Sequence, residues 1–556
     1  PHMIDPIVGR WIEELPTENS LYINGAWGEP SSAPAAVAGI DSTIDVVDPS
    51  TGRSIARVSA ASEADVDSAV SAARAALENW SVETSLDERR MLVSRLLDLY
   101  NDSLEQMARL ISHEMGAPLE LSRDAQVTSA SFAMEQFLHE TGEGGKFEMA
   151  RRLEQEGGED TTIVHQAIGV AALITTWNWP MNHIALKAIP ALLVGCTVVL
   201  KPSERAPLSA LLFGSLVDAA GFPRGVFQLV NGYGQGHAGE WLAAHPDVDM
   251  VSFTGSTRRG RQVSLAAAPT LKRVSLRMGG KGVNIIFDAD DFRKVVEGGV
   301  REVMNNSGQT FDAPTRMLIP QKYWEMALTI ARDAAATVRV GSAHMEGGHI
   351  GPVVSKTQYE RIQGYIRSGI DQGATLLAGG LGKPPKVEGV GRHSLGVGDN
   401  ISNGNRLRQL QRHYQDGYYV RPTIFVNCSP QMTIWKEEIF GPVLCMMPFA
   451  SEEEAIALAN DSPYGLTHYV HARDGRLRLR LARTLRSGMV VMNGVGLAGS
   501  APFGGVKQSG NTRESGVWGL EDFCIVKAVS GLLGGDDDDA GDSDIISRIS
   551  SLASEL

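Results

Sequence analysis

The sequence predicts an α/β protein built on doubly wound, mainly parallel sheets. Three observations predict it. Short, mostly apolar runs recur at Gly169–Ile174, Thr197–Leu200, Gly225–Val230 and Met250–Phe253, the pattern of strands buried on both faces. Stretches with helical spacing lie between them, so strand and helix alternate. The length, 556 residues, exceeds what one hydrophobic core serves and implies two or three domains.

In chain order, Leu21–Trp27 reads as a short strand and turn, and Val46–Gly52 as a second turn. Ala and Val fall at helical spacing from Ser62 to Trp80, opened by Ser62-Glu63-Ala64-Asp65 with its capping serine and early acids. A second helix is expected over Leu86–Tyr100, with more to about Thr141. Glu154–Asp160 is polar and acidic, and Thr161–Val164 follows as a strand. A second α/β region starts near Lys281 and runs to about Val495. Within it, residues 381–416 are rich in Gly, His, Asn and Arg without periodicity, which reads as an insertion in a surface loop. From Gly534 the chain changes character. Gly534-Gly535 and Asp536–Asp539 form a flexible, self-repelling linker. Then Ile545, Ile546, Ile549, Leu552 and Leu556 fall on one face of a short amphipathic helix.

The formal net charge is −14, which argues against a nucleic-acid partner. No apolar run reaches the roughly 20 residues that span a bilayer. Met3-Ile4-Asp5-Pro6 lacks the basic-then-apolar layout of a signal peptide, and Pro1-His2 reads as an expression scar. The four cysteines, at 196, 428, 445 and 524, form no close pair or metal-type spacing. A reducing, cytoplasmic location is therefore expected.

Several motifs carry a resemblance. Asn305-Asn306-Ser307-Gly308-Gln309-Thr310-Phe311-Asp312-Ala313-Pro314-Thr315-Arg316 resembles the nucleophile loop of the NAD(P)-dependent aldehyde dehydrogenases, and Arg277-Met278-Gly279-Gly280-Lys281 resembles their Glu-Leu-Gly-Gly-Lys. Trp177-Asn178-Trp179-Pro180, Lys201-Pro202-Ser203-Glu204, Glu438-Ile439-Phe440-Gly441-Pro442 and Pro502–Gly510 are similar to further family motifs. The likeness covers roughly residues 20–530. It implies two Rossmann-type doubly wound α/β domains plus a small β oligomerisation element. The implied NAD-binding domain takes 3–153 and 167–280, the oligomerisation strands 154–166 and 517–533, and the catalytic-type domain 281–516. A homodimer or homotetramer is implied, with residues 534–556 outside the pattern.

By this resemblance Lys201 and Glu204 would hold the adenine ribose, and the Glu204 carboxylate would repel a 2′-phosphate, so NAD is favoured over NADP. Thr175 and Trp177 would line the same site. Ser256 opens a helix after Phe253-Thr254-Gly255, and a helix N-terminus suits a pyrophosphate. Glu438 would bond the nicotinamide ribose and Phe440 would contact the ring. Asn178 would donate to an oxyanion. No metal is expected. Each residue also has an ordinary structural reading: a surface Lys–Glu pair, a strand-to-helix turn, a buried aromatic. His183 falls where the family lines its substrate tunnel with an apolar residue, and a lone histidine there reads first as a packed or exposed side chain.

Two positions depart from the family. Phe311 stands where the family has its nucleophilic cysteine, and Arg277 where it has the general-base glutamate. A phenyl ring offers no lone pair, and a guanidinium stays protonated at physiological pH. An inward-facing Arg277 would repel the positive ring of NAD+ and so favour NADH, or hold an anion. Alternatively it turns away to pair with an acid. Glu514, at a second family carboxylate, is either an alternative base or a partner of Arg513. The leading expectation is a pseudoenzyme with a NAD site and a scaffold or regulatory role. The alternative is an active NAD(H)-dependent oxidoreductase acting on a carbonyl without a cysteine. The C-terminal helix reads either as an arm packed on a neighbouring subunit or as a peptide for targeting to a bacterial microcompartment.

Overall fold

The computed structural model describes residues 5–31, 42–153, 161–389 and 416–532. The expectations for the 534–556 tail, and for most of the 381–416 insertion, lie outside the described residues. So does the acidic stretch 154–160.

Two seven-stranded sheets organise the chain. In the first, strands Arg273–Met278, Met250–Gly255, Val170–Ile174, Thr197–Lys201 and Phe227–Leu229 lie side by side and parallel, and the hairpin Leu21–Ile23/Ala26–Gly28 adds an antiparallel edge. Every residue of Val170–Ile174 and Thr197–Lys201 is buried. That is why these strands read as unbroken apolar runs rather than alternating ones. Val170–Ile174 sits at the point where the chain order reverses, between Met250–Gly255 on one side and Thr197–Lys201 on the other. In doubly wound sheets the crevice at the carboxyl ends of such strands is where ligands bind.

The second sheet runs Thr375–Ala378, Thr423–Val426, Val443–Phe449, Arg316–Pro320, Val283–Ile286, Thr467–His471, Met489–Met492, parallel except for the first strand. A smaller antiparallel sheet pairs Cys524–Ser530 with Thr161–Ala167 and Ala150–Arg152.

The expected early helices form over Glu63–Glu78 and Leu86–Asp102. Each opens on a reciprocal serine–acid cap, Ser62 with Asp65 and Ser85 with Glu88, which satisfies two backbone donors at each helix start. Among the described residues no helix is long and apolar enough to cross a membrane.

Candidate active site

The segment leading to Phe311 is held in an unusual backbone shape. Asn306, Ser307 and Gly308 all have left-handed dihedrals, with φ of 48°, 57° and 73°. For the first two this is costly and needs support. The support is visible: Asn306 Nδ2 donates to the Asn178 carbonyl at 3.0 Å, and Ser307 Oγ donates to the Gly351 carbonyl at 2.7 Å. Gly308 also has no room for a side chain, because a Cβ there would lie 2.1 Å from the Gly441 backbone. The pinned loop delivers Phe311 into an aromatic and aliphatic cluster with Phe440, Leu466 and Met489, flanked by Trp177 and Phe503. Its ring centroid is 5.2 Å from that of Phe440.

Arg277 lies near the end of strand Arg273–Met278 and is buried. Its Nε is 3.1 Å from Glu514 Oε2, and its Nη2 is 2.5 Å from His183 Nδ1. Lys187 Nζ donates to the other Glu514 oxygen at 2.7 Å and to Ser252 Oγ at 2.8 Å. Burial pushes the His183 ring well below its ordinary pKa, and the Arg277 and Lys187 charges push it the same way. The imidazole is therefore neutral. With Nδ1 accepting from Arg277, its proton sits on Nε2, which faces Asn178 Oδ1 at 3.1 Å. Asn178 Nδ2 in turn donates to the Gln309 carbonyl at 2.9 Å. The guanidinium also lies over two rings, 4.9 Å from the Phe503 centroid and 5.7 Å from that of Phe311.

Two cavities flank this pair of residues, the groove reaching Phe311 and the second cavity reaching Arg277. A groove of about 620 Å³ is lined by Thr175, Trp177, Lys201, Glu204, Ser256, Glu438, Phe440 and Phe311. A second cavity of about 730 Å³ is lined by Arg277, Asp312, Phe132, Asn182, Leu497 and Phe503 among others. In the groove, Lys201 Nζ donates to the Pro202 carbonyl at 2.8 Å and lies 3.9 Å from Glu204 Oε2, leaving ammonium donors to spare. Ser256 caps helix Thr257–Ala267, whose first turn faces the groove. Burial pushes the Glu438 carboxyl up to about 7, although one of its oxygens accepts from the Gly280 N–H at 3.1 Å.

A match to the model of the aldehyde dehydrogenase family spans residues 37–393 and 385–529. The chain belongs to the aldehyde dehydrogenase family. It is 43% identical to a 3-succinoylsemialdehyde-pyridine dehydrogenase from a Pseudomonas species over 515 residues, 92% of this chain and 98% of that one. The crystal structure of aldehyde dehydrogenase from Bartonella henselae superposes with a TM-score of 0.83 at 46% identity, over 92% of this chain and 99% of that one. A cysteine-to-alanine mutant of aldehyde dehydrogenase C from Pseudomonas syringae, complexed with NAD+ and octanal, also gives 0.83, at 40% identity over 96% and 99%.

Set beside the motifs of the aldehyde dehydrogenase family, the geometry corrects two expectations, for Glu514 and Asn178, and decides between the two readings of Arg277 in favour of pairing with an acid. Glu514 does not pair with Arg513, whose Nη1 donates instead to the Gly505 and Thr512 carbonyls. It holds Arg277 and Lys187 together. Asn178 does not present a free amide, since both ends of its side chain are engaged. Arg277 lines the second cavity rather than the groove and is met by a carboxylate. The repulsion expected to favour NADH is therefore partnered rather than bare. Lys187 was missed, yet a signal existed: it lies four residues after His183 in an otherwise apolar helix, Pro180–Val194, and so shares its face. None of the four cysteines reaches this site; all line neither cavity, and Cys196, Cys445 and Cys524 are buried.

Proposed function

We propose that the chain is an NAD(H)-dependent oxidoreductase of this family that acts on an aldehyde or other carbonyl without a cysteine nucleophile. One observation carries the reading: the groove is lined by Phe311 and the second cavity by Arg277, and the ring and guanidinium of these two residues lie 5.7 Å apart. A dinucleotide in the groove and a carbonyl in the second cavity would meet there. The groove fits NAD in its donor set. Lys201 and Glu204 would take the adenine ribose, the free N–H groups at Ser256 the pyrophosphate, and Glu438 the nicotinamide ribose. Relatives named as aldehyde dehydrogenases, among them a cysteine-to-alanine mutant complexed with NAD+ and octanal, support the use of NAD and a carbonyl compound.

Bound NADH would supply the hydride, and reduction of the carbonyl to an alcohol takes up one proton at the oxygen. The residues of this chain would do the rest. Arg277 can polarise a carbonyl oxygen or hold an anionic substituent in the second cavity. Asp312 lines that cavity, and burial pushes its carboxyl up against the opposing pull of Arg277. It can therefore hold a proton for the oxygen more readily than an exposed aspartate. Phe311 closes the space where a thiolate would stand and keeps water from the reacting carbon. In the same reading the first sheet belongs to the nucleotide domain and the second to the catalytic-type domain. Strand Cys524–Ser530, with Ile525 and Val526 exposed, would join subunits.

A second reading, a dinucleotide-binding protein with a scaffold role and no turnover, is favoured by the closed Lys187–Glu514–Arg277–His183–Asn178 chain of contacts. One experiment separates the two. The purified chain is mixed with NADH and a panel of carbonyl compounds, and with NAD+ and aldehydes, while reduced nicotinamide is followed by absorbance and binding by calorimetry. Turnover with no acyl adduct in the intact mass supports the first reading. Binding without turnover in either direction selects the second.

A further inference from the structure

Outside both cavities, the turn ending strand Thr43–Asp48 meets helix Leu104–Met115 and the segment around His344. Three side chains converge there. His344 Nε2 is 3.2 Å from Asp48 Oδ2. The His113 and His344 rings stack, with centroids 3.7 Å apart and planes at 19°. One ligand atom from each of the three residues lies within 4.8 Å of the other two. Asp48 and His113 are only 3% and 4% exposed, and His113 Nδ1 has no hydrogen-bond partner. A buried imidazole nitrogen left unpaired asks for an explanation.

We propose that Asp48, His113 and His344 form a binding site for a divalent transition metal of the zinc class. Two imidazoles and one carboxylate are a donor set suited to such ions. Two ligands about 2.0 Å from a tetrahedral metal stand roughly 3.3 Å apart, and the Asp48–His344 edge already has that length. The His113 ring would have to rotate out of its stack on His344, because the lone pair of each imidazole lies in its own ring plane and the two planes are now nearly parallel. The surroundings orient the carboxylate as metal sites require: the Ser50 N–H donates to Asp48 Oδ1 at 2.8 Å, and Thr51 Oγ1 donates to Oδ2 at 3.0 Å. The backbone is set as well. Ala343 N–H donates to Ser50 Oγ at 3.1 Å, and Ser112 Oγ donates to the Ala343 carbonyl at 3.0 Å. Asp48 and His344 are 296 residues apart in the chain. A metal here acts as a clasp between the N-terminal region and the segment leading into the second sheet, and binding to the folded state alone stabilises it.

The test uses the full chain, stripped with chelator and dialysed. Titration with Co2+ should give ligand-field absorption saturating at one ion per chain, abolished by Zn2+, and Zn2+ should raise the melting temperature. His344→Ala, at a partly exposed position, and Asp48→Asn should each weaken binding by more than about tenfold and remove the Zn2+-dependent rise. Melting of the metal-free variants checks that they fold, and His113→Gln gives the same reading from the third ligand. The absence of a Co2+ spectrum overturns the proposal. So does binding that survives both His344→Ala and Asp48→Asn unchanged, since the ion then sits elsewhere.

Discussion

Arg277 Nε lies 3.1 Å from Glu514 Oε2, with both residues almost fully buried. The Nε–H is not aimed at that oxygen, so charge rather than a directed hydrogen bond holds the pair. Lys187 shares the same carboxylate. Two cations and one anion leave a net positive charge inside the protein, beside the second cavity. A buried charge of this kind is tolerated only while its partner stays ionised.

Glu514→Gln should therefore destabilise the fold by about 3–5 kcal/mol, because it leaves two cations without their counter-charge. Denaturant unfolding reads this directly. The pH dependence has a definite sign. Burial raises the Glu514 carboxyl, but Arg277 and Lys187 outweigh it and leave the pKa below its ordinary 4.5. The stabilisation is then full above about 4.5 and lost as pH falls through the lower folded value. Unfolding curves of the Gln variant should lack that acid limb. An unchanged limb would mean that other carboxylates govern it.

Phe311→Cys introduces a thiol at the end of the pinned loop, and it should give little steady-state aldehyde oxidation. The thiol would have no base to activate water for thioester hydrolysis, because Arg277 cannot accept a proton. Adding Arg277→Glu should raise turnover by about a hundredfold or more over the single variant. The single variant should instead accumulate an acyl adduct visible in the intact mass. Equal rates for the two variants would show that position 277 does not reach the reacting carbon.

These residues also show where sequence reading ends. Val170–Ile174 and Thr197–Lys201 were legible because strands buried on both faces leave continuous apolar runs. The Ser62 cap was legible because a cap is a local event, and the matching Ser85 cap emerged only with the structure. Phe311 could be placed at the nucleophile position by motif alone, since the loop around it keeps the family's residues. The partner of Arg277 could not. Glu514 lies 237 positions away in the sequence, and its neighbour Arg513 was the nearer candidate on the chain but not in space. Asp48, His113 and His344 were invisible for the same reason. No spacing rule connects three residues brought together from a strand end, a helix and a distant loop.

Glu438 should give dinucleotide binding a pH dependence near neutrality. Burial lifts its carboxyl from 4.5 to about 7, so the ionised form that accepts from ribose hydroxyls becomes dominant only above about 7. Affinity for NAD(H) should rise with pH through that region, and Glu438→Gln should flatten the profile. For the ligand-free fold the sign is opposite. A raised carboxyl favours the protonated folded state, so its contribution is greatest below 4.5 and declines as pH climbs to about 7. Calorimetric affinities at several pH values check the first claim, and a flat profile for the unmodified chain would remove Glu438 from the binding site.

Glu204 is the residue that should decide between NAD and NADP. Its carboxylate is partly exposed at the groove and lies 3.9 Å from Lys201 Nζ. A 2′-phosphate within about 5 Å of it would be repelled by roughly 1–3 kcal/mol at the intermediate dielectric of a solvated cleft. Glu204→Ser removes that repulsion and leaves Lys201 to meet the phosphate. Affinity for NADP+ should then rise by about ten- to a hundredfold. Affinity for NAD+ should fall, because the ribose loses an acceptor. Competitive binding of the two dinucleotides measures both changes at once. If both affinities fall together, Glu204 shapes the groove without facing the ribose, and the preference for NAD must come from elsewhere in its lining.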